Sequence, residues 1–286
     1  MIAHGVILAT SVFPALADPA NLRWDSMAAA MALVMVRVSV MIALAPFFSG
    51  RAIPARTKAA FVLLVCWLLV PVVAGVAGDG PNGQGVTLSF SGLLGEVAVG
   101  AIYGLTLSLL SETLLLAGQI VGLQFSFSLV NLLDPASEIQ TPLMGDLFML
   151  MGSMVIIAAG LDSILLASMV RSLHAVPPGS FPLFAVPATA RVLVPMLSGS
   201  FFAALELAAP VLAATVLVEI SVALLGKISP QLPVISLTIP LKTLTGIALL
   251  IGSLALWPRF IEARFSGLLD VAEKLIAQGV ATGGRG

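Results

Sequence analysis

Residues 122–142 read GLQFSFSLVNLLDPASEIQTP, and they fit neither of the two obvious settings. Gln124 precedes Phe125 and Phe127, which alternate with Ser126 and Ser128; Leu129 continues an apolar run that breaks at Asp134-Pro135. A lipid-facing helix has no place for Asp-Pro, because the residue before a proline avoids helical backbone. A soluble loop has little use for so many large apolar side chains. The surrounding chain decides between them.

That chain is 286 residues long, 59% hydrophobic and 9% charged, with a mean hydropathy of +1.12. Soluble domains carry roughly 25% charged residues, so the composition is that of an integral membrane protein. The formal net charge is −1, which offers no basic surface for nucleic acid. Cys66 is the one cysteine and His4 and His174 are the two histidines; neither type is arranged for a disulfide or a metal site. The motifs H-E-x-x-H, G-x-S-x-G, the P-loop and a helix-opening G-x-G-x-x-G do not occur. The expectation is a non-enzyme with no catalytic residue, cofactor or metal.

Apolar segments of about 20 residues or more, enough to span a bilayer, fall at 26–48, 59–77, 93–117, 143–170, 192–225 and 236–258. They predict an all-α membrane protein of about six long helices. The lead-in 1–25 ends its apolar run in Ala15-Leu16-Ala17, the pattern a signal peptidase cuts, but it has no positive n-region and carries Pro14. A short apolar approach to the first helix explains it better than a signal peptide. Residues 49–58, SGRAIPARTK, form a cationic turn with Arg51, Pro54, Arg56 and Lys58. Residues 171–191 hold four prolines and are expected to be irregular. Residues 226–242 hold Pro230, Gln231, Pro233 and Pro240 between Lys227 and Lys242. The segment after Trp257 turns amphipathic.

Positive-inside bias places Arg51, Arg56 and Lys58 in the cytoplasm and the Lys-free loop 78–92 outside. Six alternating spans then strand Arg259, Arg264 and Lys274 on the wrong side. Counting 118–133 as another crossing repairs the tail but exports Lys227 and Lys242. One physical explanation is that some segments never meet lipid, being buried in a larger assembly.

Arg37, Glu96, Glu112, Asp146, Asp162, Glu206 and Glu219 lie in or near the apolar segments. Each is costly in hydrocarbon and should face protein or water. Glu96 and Glu112, like Asp146 and Asp162, are turned about 160° apart on a helix, so no helix carries a carboxylate dyad, and structural pairing is a better reading than ion translocation. Gly100, Gly104, Ser108 and Glu112 recur every four residues, and Gly118 and Gly122 repeat the spacing; such rows suit close helix packing. The competing class is an ion-coupled secondary transporter, whose broken helices sit at midplane sites, but the internal repeat expected of one is missing.

The order of motifs is specific: S-G-R-A-I-P-A-R-T-K after the first helix, G-Q-I-V-G-L-Q-F-S-F-S-L-V-N-L-L-D-P in the middle, and S-P-Q-L-P-V-I-S-L-T-I-P-L-K late. Over about residues 25–260 this resembles the FliR family of the flagellar type III export gate, and more distantly its injectisome counterparts. The resemblance implies helices arranged as hairpins, with a broken-helix plug, assembling with FliP-type and FliQ-type subunits into a helical pore for unfolded substrates. It implies a FliP-like region at 26–191, a FliQ-like hairpin at 192–260 and a tail at 261–286. It also assigns 122–142 to a pore plug, with Phe125, Phe127 and Leu129 filling the passage. Gln124, Ser126 and Ser128 would bond irregular backbone that Asp134-Pro135 terminates. The family more often has Met-Gly where this chain has Phe125-Ser126. The Lys227–Lys242 tip, like the Arg51–Lys58 turn, would face the cytoplasm near FlhB-type and FlhA-type components. The implied location is the bacterial inner membrane, in the flagellar basal body.

Overall fold

A computed structural model describes residues 24–45, 54–76, 86–125, 143–182, 186–229, 231 and 234–283. All regular structure among them is helical. Helix α1 is Trp24–Leu44, α2 Ala55–Val76, α3 Phe90–Gln124, α4 Leu143–Ala158 and α5 Leu161–Ala175. Then come α6, Val186–Ile228, and α7, Val234–Ser253. A 3₁₀ turn at Leu254–Leu256 leads into α8, Trp257–Gly283.

Many hydroxyl side chains do not disturb these apolar helices, because they turn back onto their own helix. Ser39 donates to the Met35 carbonyl at 2.6 Å, Thr215 to Val211 at 3.0 Å, Ser221 to Leu217 at 2.7 Å and Thr245 to Leu241 at 2.6 Å. Such back-bonding satisfies a hydroxyl without water, as a membrane interior demands.

Five stretches are long and apolar enough to cross a membrane: Asp25–Leu44, Ala55–Gly75, Phe90–Gln124, Val194–Ile228 and Ser236–Val280. The pair α4–α5, bent by 71°, makes a sixth if counted as one span. These match the six expected segments, with instructive differences. The segment 143–170 breaks at Gly160, whose φ of +66° is open to glycine at little cost. Residues 118–124 are the last turns of α3 and no separate crossing begins there. Pro187 falls just inside α6, where a missing N–H does little harm. Pro240 lies inside α7, so the late turn is confined between Ile228 and Val234.

The chain packs as two units, neither contiguous in sequence. The first takes α1, α2, α3 up to Ser108, α5 and the part of α8 from Ser266. Its interior includes Leu33, Val34, Tyr103, Leu107, Met169 and Leu173, each 2% exposed or less. The second takes α3 from Leu109, α4, α6 from Pro195, α7 and the start of α8 to Phe265. Here Phe148 lies tilted on Trp257, ring centroids 4.7 Å apart, beside buried Leu114 and Ile261. The amphipathic tail is thus structured to Gly283: Leu269, Ala272, Leu275 and Ile276 form its buried stripe.

Candidate functional site

The described part of the plug segment begins at the end of α3. Gln124 is half-buried, and the Phe125 N–H donates to the Val121 carbonyl at 3.2 Å, continuing the helical pattern one residue further. Phe125 is 3% exposed. Its ring occupies the space a side chain at Gly246 of α7 would need. Phe125 is therefore a packing residue of the second unit. Ser126, Phe127, Ser128, Leu129, Asp134 and Pro135 lie outside the described residues. Where the chain resumes, the Met144–Gly145 backbone lies against Gly118 of α3, and the Met144 side chain faces Gly122. The start of α4 thus packs on the last turns of α3.

The small-residue row divides. A Cβ on Gly100 would stand 2.5 Å from the Arg37 carbonyl oxygen and 3.0 Å from Val40 Cβ. One on Gly104 would stand 2.6 Å from Leu44 Cβ. The helix that fits this groove is α1 of the same chain. Ser108 bonds its own Leu105 carbonyl at 2.7 Å, and Glu112 is exposed.

Arg37 was the one cation among seven ionisable residues noted in the apolar segments, and it meets Glu96. Nε lies 2.5 Å from Oε2 and Nη2 3.0 Å from Oε1, a two-pronged pair with both side chains fully buried. Arg37 also donates to Ser172 Oγ at 3.2 Å and to the Val176 carbonyl at 3.1 Å. The Gly179 N–H donates to Glu96 Oε1 at 2.8 Å. Gly179 has φ +81°, which turns that N–H inward. The pair therefore ties the non-helical stretch after α5 to α1 and α3. A second cluster escaped the sequence reading. Ser168 donates to Glu273 at 2.6 Å, Arg171 Nη2 donates to the same carboxylate at 2.7 Å, and the Tyr103 hydroxyl donates to the Ser168 carbonyl at 3.3 Å. It fastens the tail helix inside the first unit, and its only sequence signal was the amphipathic stripe beyond Trp257.

Of the cationic turn, Arg51 lies outside the described residues. The Pro54 carbonyl accepts N–H bonds from Thr57 at 3.0 Å and Lys58 at 3.2 Å, opening α2; Pro54 and Arg56 are exposed and Lys58 half-buried. In the late turn Pro230 and Pro233 lie outside the described residues, while Lys227 and Gln231 are exposed. Lys242 is not at the tip. It is buried inside α7 and donates to Glu219 of α6.

These features define a class: a helical membrane-embedded protein with internally paired charges. Residues 28–268 match the family of bacterial export proteins, family 1. The flagellar biosynthetic protein FliR of Caulobacter vibrioides is 29% identical over 245 residues, covering 84% of this chain and 94% of that protein. The FliR proteins of Escherichia coli and Bacillus subtilis are 26% and 25% identical, over 85% and 87% of this chain and 91% and 95% of their own lengths. The chain belongs to bacterial export protein family 1, the FliR family.

Proposed function

We propose that this chain is a structural, non-enzymatic subunit of the flagellar type III export gate in the bacterial inner membrane, within the basal body. It joins FliP-type and FliQ-type subunits to form the gated channel through which unfolded flagellar substrates cross. The supporting observation is the extent of the family match, 28–268, which reaches from within α1 into α8 and touches both units. In this reading residues 26–191 form the FliP-like part and 192–260 the FliQ-like hairpin. Residues 122–142 form the plug, whose described start, Gln124 and Phe125, closes α3, with Phe125 packed against Gly246. Irregular backbone at membrane depth is tolerated where protein or a water-filled cavity surrounds it, and a channel interior is such a place. The tip between α6 and α7 approaches FlhB-type and FlhA-type components.

The test is co-expression of the tagged chain with FliP-type and FliQ-type subunits, alongside complementation of a strain lacking its own copy. A complex holding all three, with restored flagellin secretion, is expected. A stable lone monomer in detergent, or secretion that persists without the chain, sinks the reading.

A further inference from the structure

Helix α6 carries a carboxylate where an apolar span should not. Glu206 is exposed, and no ion pair joins it to a described residue. At ~1.5 Å per residue it lies about 18 Å from Val194 and about 33 Å from Ile228, well inside that candidate span. Phe202, Ala209, Ala213, Leu217, Ile220 and Leu224 lie within about 60° of it around the helix, and all are exposed. From Phe202 to Leu224 the result is an apolar stripe with a single charge in it, the next being Lys227 in the last turn of the helix. The hairpin partner α7 is on another side: the pair Glu219–Lys242 and the buried Ala204, Ala208, Val211 and Thr215 mark the inner face.

A second feature falls on the same turn. Pro210 lies inside α6 and is exposed. Having no N–H, it leaves the Glu206 carbonyl oxygen without its usual helical donor. One spot on the stripe therefore offers a carboxylate and a backbone carbonyl, both acceptors and neither matched by a donor from the fourth residue on. Lipid has no donor to give them, and a carboxylate in hydrocarbon costs a few kcal/mol.

We propose that this stripe is the docking surface for an apolar helix of another membrane subunit, carrying an Arg or Lys side chain at the depth of Glu206. A guanidinium or ammonium would neutralise the carboxylate and also donate to the freed carbonyl, while the partner's apolar side chains cover Ala213, Leu217 and Leu224. The proposal rests on the reading of the chain as a subunit of a membrane complex and adds the surface and the chemistry of its neighbour.

The experiment uses the full chain in its native membrane, with Cys66→Ala so that introduced thiols are read alone. The wild-type chain is first shown to enter the complex; if it does not, the export-gate reading fails by itself. Glu206→Lys is expected to lower the assembled fraction by about tenfold or more, while Glu206→Gln retains most of it. Suppressors of Glu206→Lys should change a Lys or Arg in a membrane segment of another subunit to Glu or Asp. Should Glu206→Lys be degraded, Ala213→Cys decides. Its reaction with a lipid-soluble maleimide is expected to fall about tenfold when the chain is in the complex rather than expressed alone, as burial between helices requires. Undiminished labelling of Ala213→Cys, or normal assembly of Glu206→Lys, overturns the proposal. So does reaction of Glu206→Cys in the complex with a membrane-impermeant reagent, since the carboxylate would then face a water-filled lumen.

Discussion

Arg37–Glu96 and Glu219–Lys242, two of the three ion pairs among the described residues, are finished to different degrees. Arg37 and Glu96 are both 0% exposed, joined twice, and surrounded by Ser172, the Val176 carbonyl and the Gly179 N–H. Lys242 and Glu219 are 9% and 49% exposed at their side chains and joined by one bond. The helices follow suit: in an 18-residue apolar stretch of each, 61% of α3 is buried within the chain, against 28% of α6. Where apolar surface is covered by the chain's own helices, as around Arg37 and Glu96, the buried charges are satisfied internally. Where it is left open, as on α6 and α7, charge is left open with it. Helix α3 is built as an interior; the hairpin, like α2 with its exposed Leu63, Leu64, Trp67 and Leu68, is built as a surface.

The sharpest way to break this comparison is to remove one half of the buried pair. Arg37→Leu or Glu96→Leu leaves an uncompensated buried charge, costing about 3–5 kcal/mol. Either variant is expected to be scarce in membranes and to unfold at lower temperature in detergent. Arg37→Met with Glu96→Leu should recover part of the loss, since an apolar replacement of both partners can be close to neutral. Recovery will be incomplete because Gly179 N–H and Val176 O lose their partners. Single variants with wild-type melting would show that the pair does not hold the first unit together.

Phe125 comes next. Truncating a well-packed phenylalanine costs about 3–5 kcal/mol, so Phe125→Ala should lower the melting temperature. The plug reading predicts something different for Phe127→Ala: unchanged stability with small-ion leakage through the assembled gate, because a large apolar group excludes water from a narrow passage. Ion-leak and melting measurements on both variants separate the roles. Leakage from Phe125→Ala at unchanged stability would return that residue to the plug.

Smaller effects come from glycines. Gly100→Ala must push apart α1 and α3, since the new Cβ would stand 2.5 Å from the Arg37 carbonyl oxygen; overpacking of this kind costs about 1–3 kcal/mol. Gly252 in α7 has nothing within 4 Å of its would-be Cβ. Gly252→Leu should therefore leave the melting of the isolated chain unchanged, and any defect must appear in assembly. Equal destabilisation by the two would erase the contrast between interior and surface.

How much of this was legible in the sequence follows the same division. The helices were legible because apolar runs of spanning length allow few other structures. The pairing of Arg37 was half legible: a lone cation among apolar residues demands a carboxylate, but Glu96 is 59 residues away and only packing selects it. The row Gly100–Gly104 announced a close helix, though not that the helix is α1, since a groove does not name its occupant. Lys242 was misleading. A lysine after three prolines looks like part of a turn, yet helix α7 has already begun at Val234 and Pro240 sits within it. Pro240 stands beyond the first turn, where a proline is rarely tolerated, and that position hid the boundary. Arg171 and Glu273 were not singled out because neither lies in a run apolar enough to make a charge conspicuous.

The two lysines of the late turn give the smallest and most discriminating test. Treated together as a cytoplasmic tip, Lys227→Glu with Lys242→Glu would be expected to impair export more than assembly. Their surroundings now separate them. Lys242→Glu sets two carboxylates against each other on neighbouring helices, a structural insult that adding Glu219→Lys should relieve. Because Glu219 is half exposed, the pair is worth no more than about 1 kcal/mol in the isolated chain, and the defect should show mainly as a lower assembled fraction. Lys227 is exposed in the last turn of α6, where a cation complements the helix dipole by about 0.3–1 kcal/mol. Lys227→Glu should therefore barely alter folding or assembly. If the tip meets a cytoplasm-proximal partner of the gate, this variant alone should reduce flagellin secretion at a normal level of complex, and crosslinks from Gln231 should reach that partner. Full secretion by Lys227→Glu would leave the lysine as an end-of-helix charge and nothing more.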